Sequence, residues 1–400
     1  MNINRTKQSK NIIIGDQAGR DIIQQHNYFN IQNNHHKTIN ATNTSLSNTV
    51  NNNQEIKPFN IPIPRNPFFT GRNDILLQLH NLLNRKTKLV IKSSQNSTAL
   101  SGLGGIGKTQ TAIEYAYRYK DSYCAVLWVL ADGKMLLQNN FAELSQLLGF
   151  KVKRQDDQIL AVQKWLRDNQ NWLLIFDNAE TLELLTAAKE LLPVDIKGHI
   201  LFTTRAQATG NIASINIDCF DIDTGTMFLL RRSKTVLNEL STIKAVFSNV
   251  SNQNLKFAKD IVQELGGLAL AIDQAGAYIE QTDCGLEGYL IRYRSNSVKM
   301  LKERGFVHSN DHPDAVYKTF LLALEQVQKR HNLTSQILRD CVFLHPDGIP
   351  EKFYSDCDPL ELDIALSTLK DYSLIKRVIE KKIFTVHRLV QIVIKDVYNE

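Results

Sequence analysis

The sequence predicts a three-layer α/β domain with a parallel sheet, then an all-helical region, then a C-terminal region of helices with a β-hairpin. Three observations support this fold class. Short, almost wholly apolar runs alternate with helical segments between residues 89 and 203, as in a sheet covered on both faces. From residue 217 the apolar spacing becomes helical. After residue 315, helical segments lead to two short β-like runs and a last helix.

Residues 1–57 form a leader that differs in composition from the rest of the chain. They contain 13 Asn and 6 Gln, and their hydrophobic residues occur only in short runs. Such a polar segment cannot bury enough apolar surface to offset the entropy cost of ordering, so we expect a largely disordered leader. Residues 11–31 alternate β-branched runs with Gly-Asp and Gly-Arg-Asp turns, which leaves a short β-hairpin there as an alternative.

Composition and charge exclude several classes of protein. The 400 residues are 43% hydrophobic and 22% charged, which is typical of a soluble globular protein. The net charge is +6, and residues 1–57 supply half of it with 6 basic and 3 acidic side chains, so we do not expect a nucleic-acid partner. Five scattered cysteines indicate a reducing compartment, and no apolar run is long enough for a membrane span. We therefore expect a cytoplasmic protein.

The α/β domain is predicted to occupy residues 58–216. Four prolines between residues 57 and 67 predict an extended linker, and apolar residues at helical spacing follow from 75 to 83. The predicted strands are 89–91, 98–101, 125–130, 172–176 and 200–203, and the predicted helices between them are 109–119, 134–148, 157–168 and 181–191. This alternation is typical of a parallel sheet.

Two smaller domains are predicted to follow. Residues 217–314 contain helical segments at 224–231, 254–265 and 268–280, which predict a small all-α domain. Residues 315–400 contain helices at 316–329, 334–343 and 361–371, β-like runs at 374–379 and 382–386, and a helix from 388. Three helices followed by a hairpin and a helix are typical of a winged-helix domain. Its last helix is apolar, whereas a DNA-recognition helix needs cationic and amide side chains.

A glycine-rich motif lies between the strand at 98–101 and the next helix. The run Gly102-Leu103-Gly104-Gly105-Ile106-Gly107-Lys108-Thr109 satisfies G-x-x-x-x-G-K-[ST], the P-loop pattern. Its glycines let backbone N–H groups converge on phosphate oxygens, and the helix N-terminus adds positive potential. The motif predicts a P-loop NTPase that binds phosphates through residues 102–109 and Gln110. The individual binding residues are Gly102, Gly104, Gly105, Ile106, Gly107, Lys108, Thr109 and Gln110.

The same glycines also match a dinucleotide-binding fingerprint. Gly102, Gly104 and Gly107 satisfy G-x-G-x-x-G, and Asp132 follows the next strand, where a ribose-binding carboxylate would lie. A Rossmann loop has no use for Lys-Thr after its last glycine, whereas a P-loop requires both residues. A P-loop also requires an Asp at the end of a later strand, and Asp177 meets that requirement. We favour the NTPase, with Mg²⁺ held by Thr109 and Asp177.

Arg205 ends the segment Thr203-Thr204-Arg205 at the close of the next apolar strand. A cation there, beside the strand that carries Asp177, is placed to contact a γ-phosphate. We therefore predict Lys108, Asp177 and Arg205 as the residues that carry any catalysis.

In this order the motifs resemble the NB-ARC family of STAND nucleotide switches, particularly microbial members in which tetratricopeptide repeats follow the NB-ARC module. The resemblance spans residues 59–400 and rests on segments 69–72, 99–109, 172–178, 203–205, 265–271 and 386–391. It implies a switch that is closed with ADP and that opens and self-associates with ATP. It also implies an unidentified protein effector or sensor as a partner.

The resemblance implies further nucleotide-binding residues outside the P-loop. These are Thr70, Gly71 and Arg72 on the adenine side, Leu268 and Ala269 in the segment that covers the base, and His387, which would contact the ADP phosphate and lock the closed state.

The sequence departs from the family pattern at three positions. Asn178 replaces the second acid that polarises water in fast hydrolases, so we expect at most weak ATPase activity unless Glu180 substitutes. Ala269 replaces a proline, and Arg388 follows His387 where plant members usually have Asp. Two other functions stay open at this point: an active ATPase that remodels a partner, and a nucleotide-gated winged-helix transcription regulator.

Overall fold

The computed structural model describes residues 57–84, 97–207, 209–302, 316–328, 330, 332–346 and 348–398. The predictions for residues 1–56, including the hairpin at 11–31, and for a strand at 89–91 lie outside these residues.

A five-stranded parallel sheet organises the first half of the described chain. Its strands are β1 (Ser97–Ser101), β2 (Ala125–Leu130), β3 (Trp172–Asp177), β4 (His199–Thr204) and β5 (Ala213–Asn216), in the order β2-β3-β4-β1-β5. Every residue of β3 is buried, as its apolar sequence predicts. The sequence did not indicate β5, because it is an edge strand with only one of its four residues buried.

Helices cover both faces of the sheet. One face carries α1 (Asn73–Leu83) and α2 (Lys108–Tyr119), and the other carries α3 (Lys134–Leu147), α4 (Gln155–Asp168) and α5 (Leu182–Glu190). Successive side chains of β3 explain the two cores, because Leu173 and Ile175 enter the first and Leu174 and Phe176 enter the second. The predicted three-layer α/β core is confirmed.

The proline-containing segment before α1 is attached to the edge of this sheet. Phe59 forms a parallel bridge with Val126, and the Asn60 N–H donates to the Val126 carbonyl at 3.2 Å. Farther along, Arg65 donates through two nitrogens, each at 2.8 Å, to the buried carboxylate of Glu114 on α2. The segment is extended, as its prolines predict, and it also continues the sheet edge.

Residues 217–302, the helical region, contain helices and connecting segments. The helices are α6 (Ile222–Arg232), α7 (Ile243–Ser248), α8 (Asn252–Glu264), α9 (Ala269–Thr282), α10 (Gly285–Ser295) and α11 (Ser297–Lys302). The sequence predicted α6, α8 and α9. It missed α10, whose two glycines lower its helix propensity. Burial of Leu286, Tyr289, Leu290 and Tyr293 stabilises that helix instead.

Residues 316–398, the C-terminal region, combine helices with a small antiparallel sheet. The helices are α12 (Val316–Gln328), α13 (Asn332–Cys341), α14 (Pro359–Asp371) and α15 (Arg388–Tyr398). The sheet has the order β6-β8-β7, from β6 (Ile349–Pro350), β7 (Ile375–Val378) and β8 (Ile383–Val386). Four apolar residues of α15 are buried and form one packed face of the helix: Leu389, Val390, Val393 and Ile394.

Within the described part of the chain, no helix combines the length and the apolar character that a membrane crossing requires.

Two glycines after α8 determine how the chain enters α9. Gly266 and Gly267 have φ values of 63° and 68°, a region that glycine occupies at little cost. The Gly267 carbonyl accepts a hydrogen bond from the Phe220 N–H at 2.9 Å. A Cβ on Gly267 would lie 2.3 Å from the Phe220 carbonyl oxygen. This close backbone contact fixes the start of α9 against the segment that follows β5.

We expect Gly267→Ala to lower the free energy of unfolding by about 3 kcal/mol, because it adds a steric clash to the strain of a positive φ. Gly285→Ala is the matched control, since Gly285 has a φ of 67° but no atom within 4 Å of an added Cβ. Gly285→Ala should lower the free energy of unfolding by only about 1 kcal/mol. Urea denaturation of both variants measures the difference, and equal losses would contradict the contact's importance.

Candidate functional site

The glycine-rich loop connects β1 to α2 and uses backbone conformations that favour glycine. Gly102, Gly105 and Gly107 have φ values of 145°, 75° and 100°. A Cβ on Gly102 would lie 2.6 Å from the Ile217 carbonyl oxygen, so a larger residue does not fit there. The first residue of α2 is Lys108, so the positive end of a 12-residue helix follows the loop directly. The loop therefore has the local geometry that phosphate binding requires.

Lys108 is a buried cation enclosed by the loop. Its Nζ donates to the Gly102 carbonyl at 2.9 Å and to the Leu103 carbonyl at 3.2 Å. The pKa of Lys108 is lowered to about 8, mainly by burial and also by the positive charge of Arg205, while the carboxylates of Glu180 and Asp177 oppose this shift. An ammonium group in such a place is stabilised by anions, so the site favours a negatively charged ligand.

Asp177 ends β3 and contacts the first turn of α2. Its Oδ1 accepts hydrogen bonds from the Thr109 hydroxyl at 2.8 Å and from the Thr203 hydroxyl at 2.6 Å. Burial raises the pKa of Asp177, while these two hydroxyls lower it. The structure thus brings together Thr109 and Asp177, the predicted Mg²⁺ ligands. Within the described residues, no group of three or more His, Cys, Asp and Glu side chains is placed to hold a metal ion by itself.

The side-chain amide of Gln110 is buried next to the loop. This residue follows Thr109 in the first turn of α2, and both polar atoms of its amide are buried. Neither atom has a hydrogen-bond partner among the described residues. A buried amide without partners is costly, and a bound ligand is one way to supply them. Together with the glycine backbone and the buried Lys108, this residue fits a nucleotide.

Arg205 follows β4, which lies between β1 and β3 in the sheet. Its Nε lies 3.0 Å from Oε2 of Glu180, and its backbone N–H donates to the same oxygen at 3.1 Å. Its guanidinium carbon is 3.5 Å from the position that a Cβ on Gly104 would take. The predicted phosphate-sensing arginine therefore borders the loop, but it is paired with Glu180. The sequence did not predict this pairing, and the only feature that pointed to it was an acid, Glu180, three residues after Asp177.

Asn178 and Asp132 lie at the same edge of the sheet. Asn178 adopts a left-handed φ of 66°, and its N–H donates to the Thr203 hydroxyl at 2.9 Å. Burial raises the pKa of Asp132, the charge of Glu180 raises it further, and Arg205 and the Asn178 side chain oppose the shift. Asp132 therefore belongs to the polar cluster around Asp177.

The strand order excludes the dinucleotide alternative for Asp132. In a Rossmann sheet the strand before the glycine loop lies next to the following strand. Here β3 and β4 separate β1 from β2.

In the segment Thr70-Gly71-Arg72, Arg72 contacts the loop. The Arg72 guanidinium donates to the Ile106 carbonyl at 2.8 Å and packs over the Phe220 ring at 4.6 Å. The Thr70 hydroxyl accepts a hydrogen bond from Arg231 at 2.9 Å. Gly71 has a φ of 69°. The main chain of Ile106 is thus fixed by a residue 34 positions earlier.

The start of α9 also contacts the loop. The Leu270 N–H donates to the Gly105 carbonyl at 3.0 Å. The Ala269 Cβ lies 3.9 Å from the position that a Cβ on Gly107 would take. Leu268, which precedes the helix, is fully buried. The structure therefore brings Ala269 and Leu270 to the loop.

His387 contacts the backbone just before α9. Its Nδ1 accepts the Leu389 N–H at 3.2 Å, so Nε2 carries the proton and donates to the Gly266 carbonyl at 3.2 Å. Thr319 of α12 reaches the loop itself, because its Cγ2 lies 2.9 Å from the Cβ position of Gly104. No motif marks Thr319, and only the packing of α12 reveals it.

The sequence of this chain is similar to those of known proteins. Residues 79–230 match the model of the NB-ARC domain. A relative from Hyaloscypha variabilis, described as a nucleotide-binding leucine-rich repeat (NLR)-like protein, is 27% identical over 379 residues. The match covers 85% of this chain and 36% of the relative, so the chain spans about a third of that protein's length.

Two solved structures are also similar. A Walker-type ATPase of Pyrococcus abyssi aligns over 85% of this chain and 99% of its own, with a TM-score of 0.53 and 12% identity, which bears on the fold alone. A STAND protein with a tetratricopeptide repeat sensor from Pyrococcus horikoshii aligns over 84% of this chain and 43% of its own, with a TM-score of 0.35 and 16% identity.

The lowered pKa of Lys108 predicts a pH-dependent stability of the ligand-free protein. Because the folded state binds this proton less tightly than the unfolded state, stability should rise between about pH 8 and the ordinary pKa of 10.5. Relative to Lys108→Met, wild type should gain up to about 3 kcal/mol across this window. Denaturant titrations at each pH measure the gain. Lys120→Met, at an exposed site, is the control, and its free energy of unfolding should change with pH as that of wild type does. If the free energy of unfolding of Lys108→Met also rose with pH as in wild type, the burial of this charge would be refuted.

Proposed function

We propose that this chain, which belongs to the NB-ARC family of STAND P-loop NTPases, is a switch that binds ADP or ATP with Mg²⁺ at the loop between β1 and α2. The observation that carries the proposal is the meeting of a buried Lys108, the Thr109–Asp177 pair and Arg205 at one edge of the sheet. A cation, a hydroxyl–carboxylate pair and a second cation are the groups that a Mg²⁺-bound polyphosphate needs.

Each residue at the loop has a definite task in this proposal. The loop N–H groups and the N-terminus of α2 bind phosphate oxygens. Lys108 exchanges the Gly102 and Leu103 carbonyls for the β- and γ-phosphates. Thr109 and Asp177 hold Mg²⁺, which neutralises phosphate charge. Arg205 contacts the γ-phosphate.

In this function the chain has three domains at residues 58–216, 217–314 and 315–400, and the last one is a winged helix. Each of the two later domains touches the loop edge: Leu270 bonds to Gly105, and the Ser373 hydroxyl donates to the Arg205 carbonyl at 2.9 Å. We call this arrangement, in which both later domains contact the loop edge, the closed arrangement, and we assign it to the ADP form. Exchange for ATP separates the domains and allows self-association, and an unidentified protein sensor or effector in the cytoplasm controls or receives the change.

Slow hydrolysis is part of the same proposal. The amide of Asn178 has no basic group to accept a proton from water. This favours a long-lived ATP state over the rapid turnover that a remodelling ATPase needs. The buried apolar face of α15 likewise gives no support to DNA recognition by the C-terminal region.

Nucleotide that copurifies with the protein tests this function most directly. We expect wild type to release close to one equivalent of ADP on denaturation, measured by chromatography of the supernatant. Lys108→Ala should release almost none and should melt about 5 °C lower or more, because bound nucleotide stabilises the folded state. Lys120→Ala, altered at an exposed position, should behave as wild type. An equal nucleotide content in both variants would show that the loop is not the binding site.

His387 tests the closed arrangement. We expect His387→Ala to weaken the contact with Gly266 and to allow self-association at about tenfold lower concentrations of a non-hydrolysable ATP analogue. Light scattering after size-exclusion chromatography measures the association. His387→Gln retains an N–H donor and should lie closer to wild type. Identical profiles for wild type and His387→Ala would argue against a locking role.

A further inference from the structure

Glu180 lies among the charged groups of the site but has no task in the proposed function. It stands in the turn after β3, and its Oε2 accepts a hydrogen bond from the backbone N–H of Arg205 at 3.1 Å and forms an ion pair with Arg205 Nε at 3.0 Å. The side chains of Glu180 and Arg205 are only 19% and 23% exposed. The pair is therefore partly shielded from water, and separating it costs more than separating an ion pair on the open surface.

Glu180 also faces the loop. Of the charged groups that act on Lys108, the carboxylate of Glu180 acts most strongly, ahead of Arg205 and Asp177. The negative charge of Glu180 also adds to the effect of burial in raising the pKa of Asp177 and of Asp132. Because the Arg205 guanidinium borders Gly104, the Glu180–Arg205 pair lies beside the loop that holds phosphates in the proposed function.

We infer that Glu180 and the γ-phosphate compete for Arg205, so that Glu180 sets the preference of this chain for a nucleoside diphosphate over a triphosphate. This inference rests on the proposed function. With a diphosphate, Arg205 keeps both contacts with Glu180. With a triphosphate, the guanidinium leaves Glu180 for the γ-phosphate, and the Glu180 carboxylate is left beside the carboxylates of Asp132 and Asp177. The triphosphate form alone carries this electrostatic cost.

Removing the charge of Glu180 while keeping its shape isolates the competition. In Glu180→Gln the side-chain carbonyl can still accept the Arg205 N–H, but the guanidinium loses its anionic partner. Arg205 is then attracted more strongly to the γ-phosphate, and no carboxylate is left unpaired when it moves. Both effects strengthen triphosphate binding, and neither acts on the diphosphate.

The test measures the dissociation constants of Mg·ADP and of a Mg-bound non-hydrolysable ATP analogue by calorimetry on the full chain stripped of nucleotide. For Glu180→Gln we expect the analogue to bind about tenfold more tightly and ADP to stay within about twofold. Glu190→Gln, an exposed acid at the end of α5, is the matched control and should change neither constant. Arg205→Gln should weaken the analogue about tenfold and leave ADP unchanged. In that background, adding Glu180→Gln should have no further effect.

The outcomes separate this inference from the function on which it rests. Wild type that binds neither nucleotide would overturn both. Wild type that binds both nucleotides, with an unchanged ratio in Glu180→Gln, would overturn only the competition. A gain in analogue affinity that persists without Arg205 would also overturn it, because the effect would then be a general change in charge. The Arg205→Gln variant tests the competition from the other partner even where Glu180→Gln folds poorly.

Discussion

The burial of a positive charge at Lys108 is the constraint on which the site depends. The ammonium group is enclosed by the carbonyls of Gly102 and Leu103, and burial lowers its pKa to about 8. Such a charge is tolerated only where anions surround it, and the carboxylates of Asp177 and Glu180 are the anions that the protein itself supplies. A bound polyphosphate would meet the same demand, so ligand binding and the stability of the loop are linked.

The order of the parallel strands explains why these groups meet. The carboxyl ends of parallel strands lie at one edge of a sheet, and ligands bind there in α/β proteins. Because β4 lies between β1 and β3, the residues that follow these strands converge: Lys108 after β1, Asp177 at the end of β3 and Arg205 after β4. The Thr203 hydroxyl, which donates to Asp177 and accepts from the Asn178 N–H, bridges two of the strand ends.

The later regions of the chain reach this edge mainly through main-chain carbonyls. Leu270 donates to the Gly105 carbonyl, Ser373 to the Arg205 carbonyl and His387 to the Gly266 carbonyl. Each acceptor belongs to the loop, to the arginine that borders it or to the turn before α9. A ligand that shifts the loop or Arg205 therefore shifts the atoms that hold the helical and C-terminal regions in place. In the proposed function, these contacts would connect a bound nucleotide with the rest of the chain.

Local pattern was enough to determine the α/β core, the P-loop, the pairing of Thr109 with Asp177 and the positions of most helices. Apolar periodicity and glycine placement are properties of neighbouring residues, so they can be read without the fold. The tertiary structure alone decided that edge strand β5 forms, that Thr319 reaches Gly104 and that Glu180 holds Arg205. It also decided that Ser373 bonds to a residue 168 positions away. Such contacts depend on how strands are ordered and helices are packed, and no short stretch of sequence carries that information.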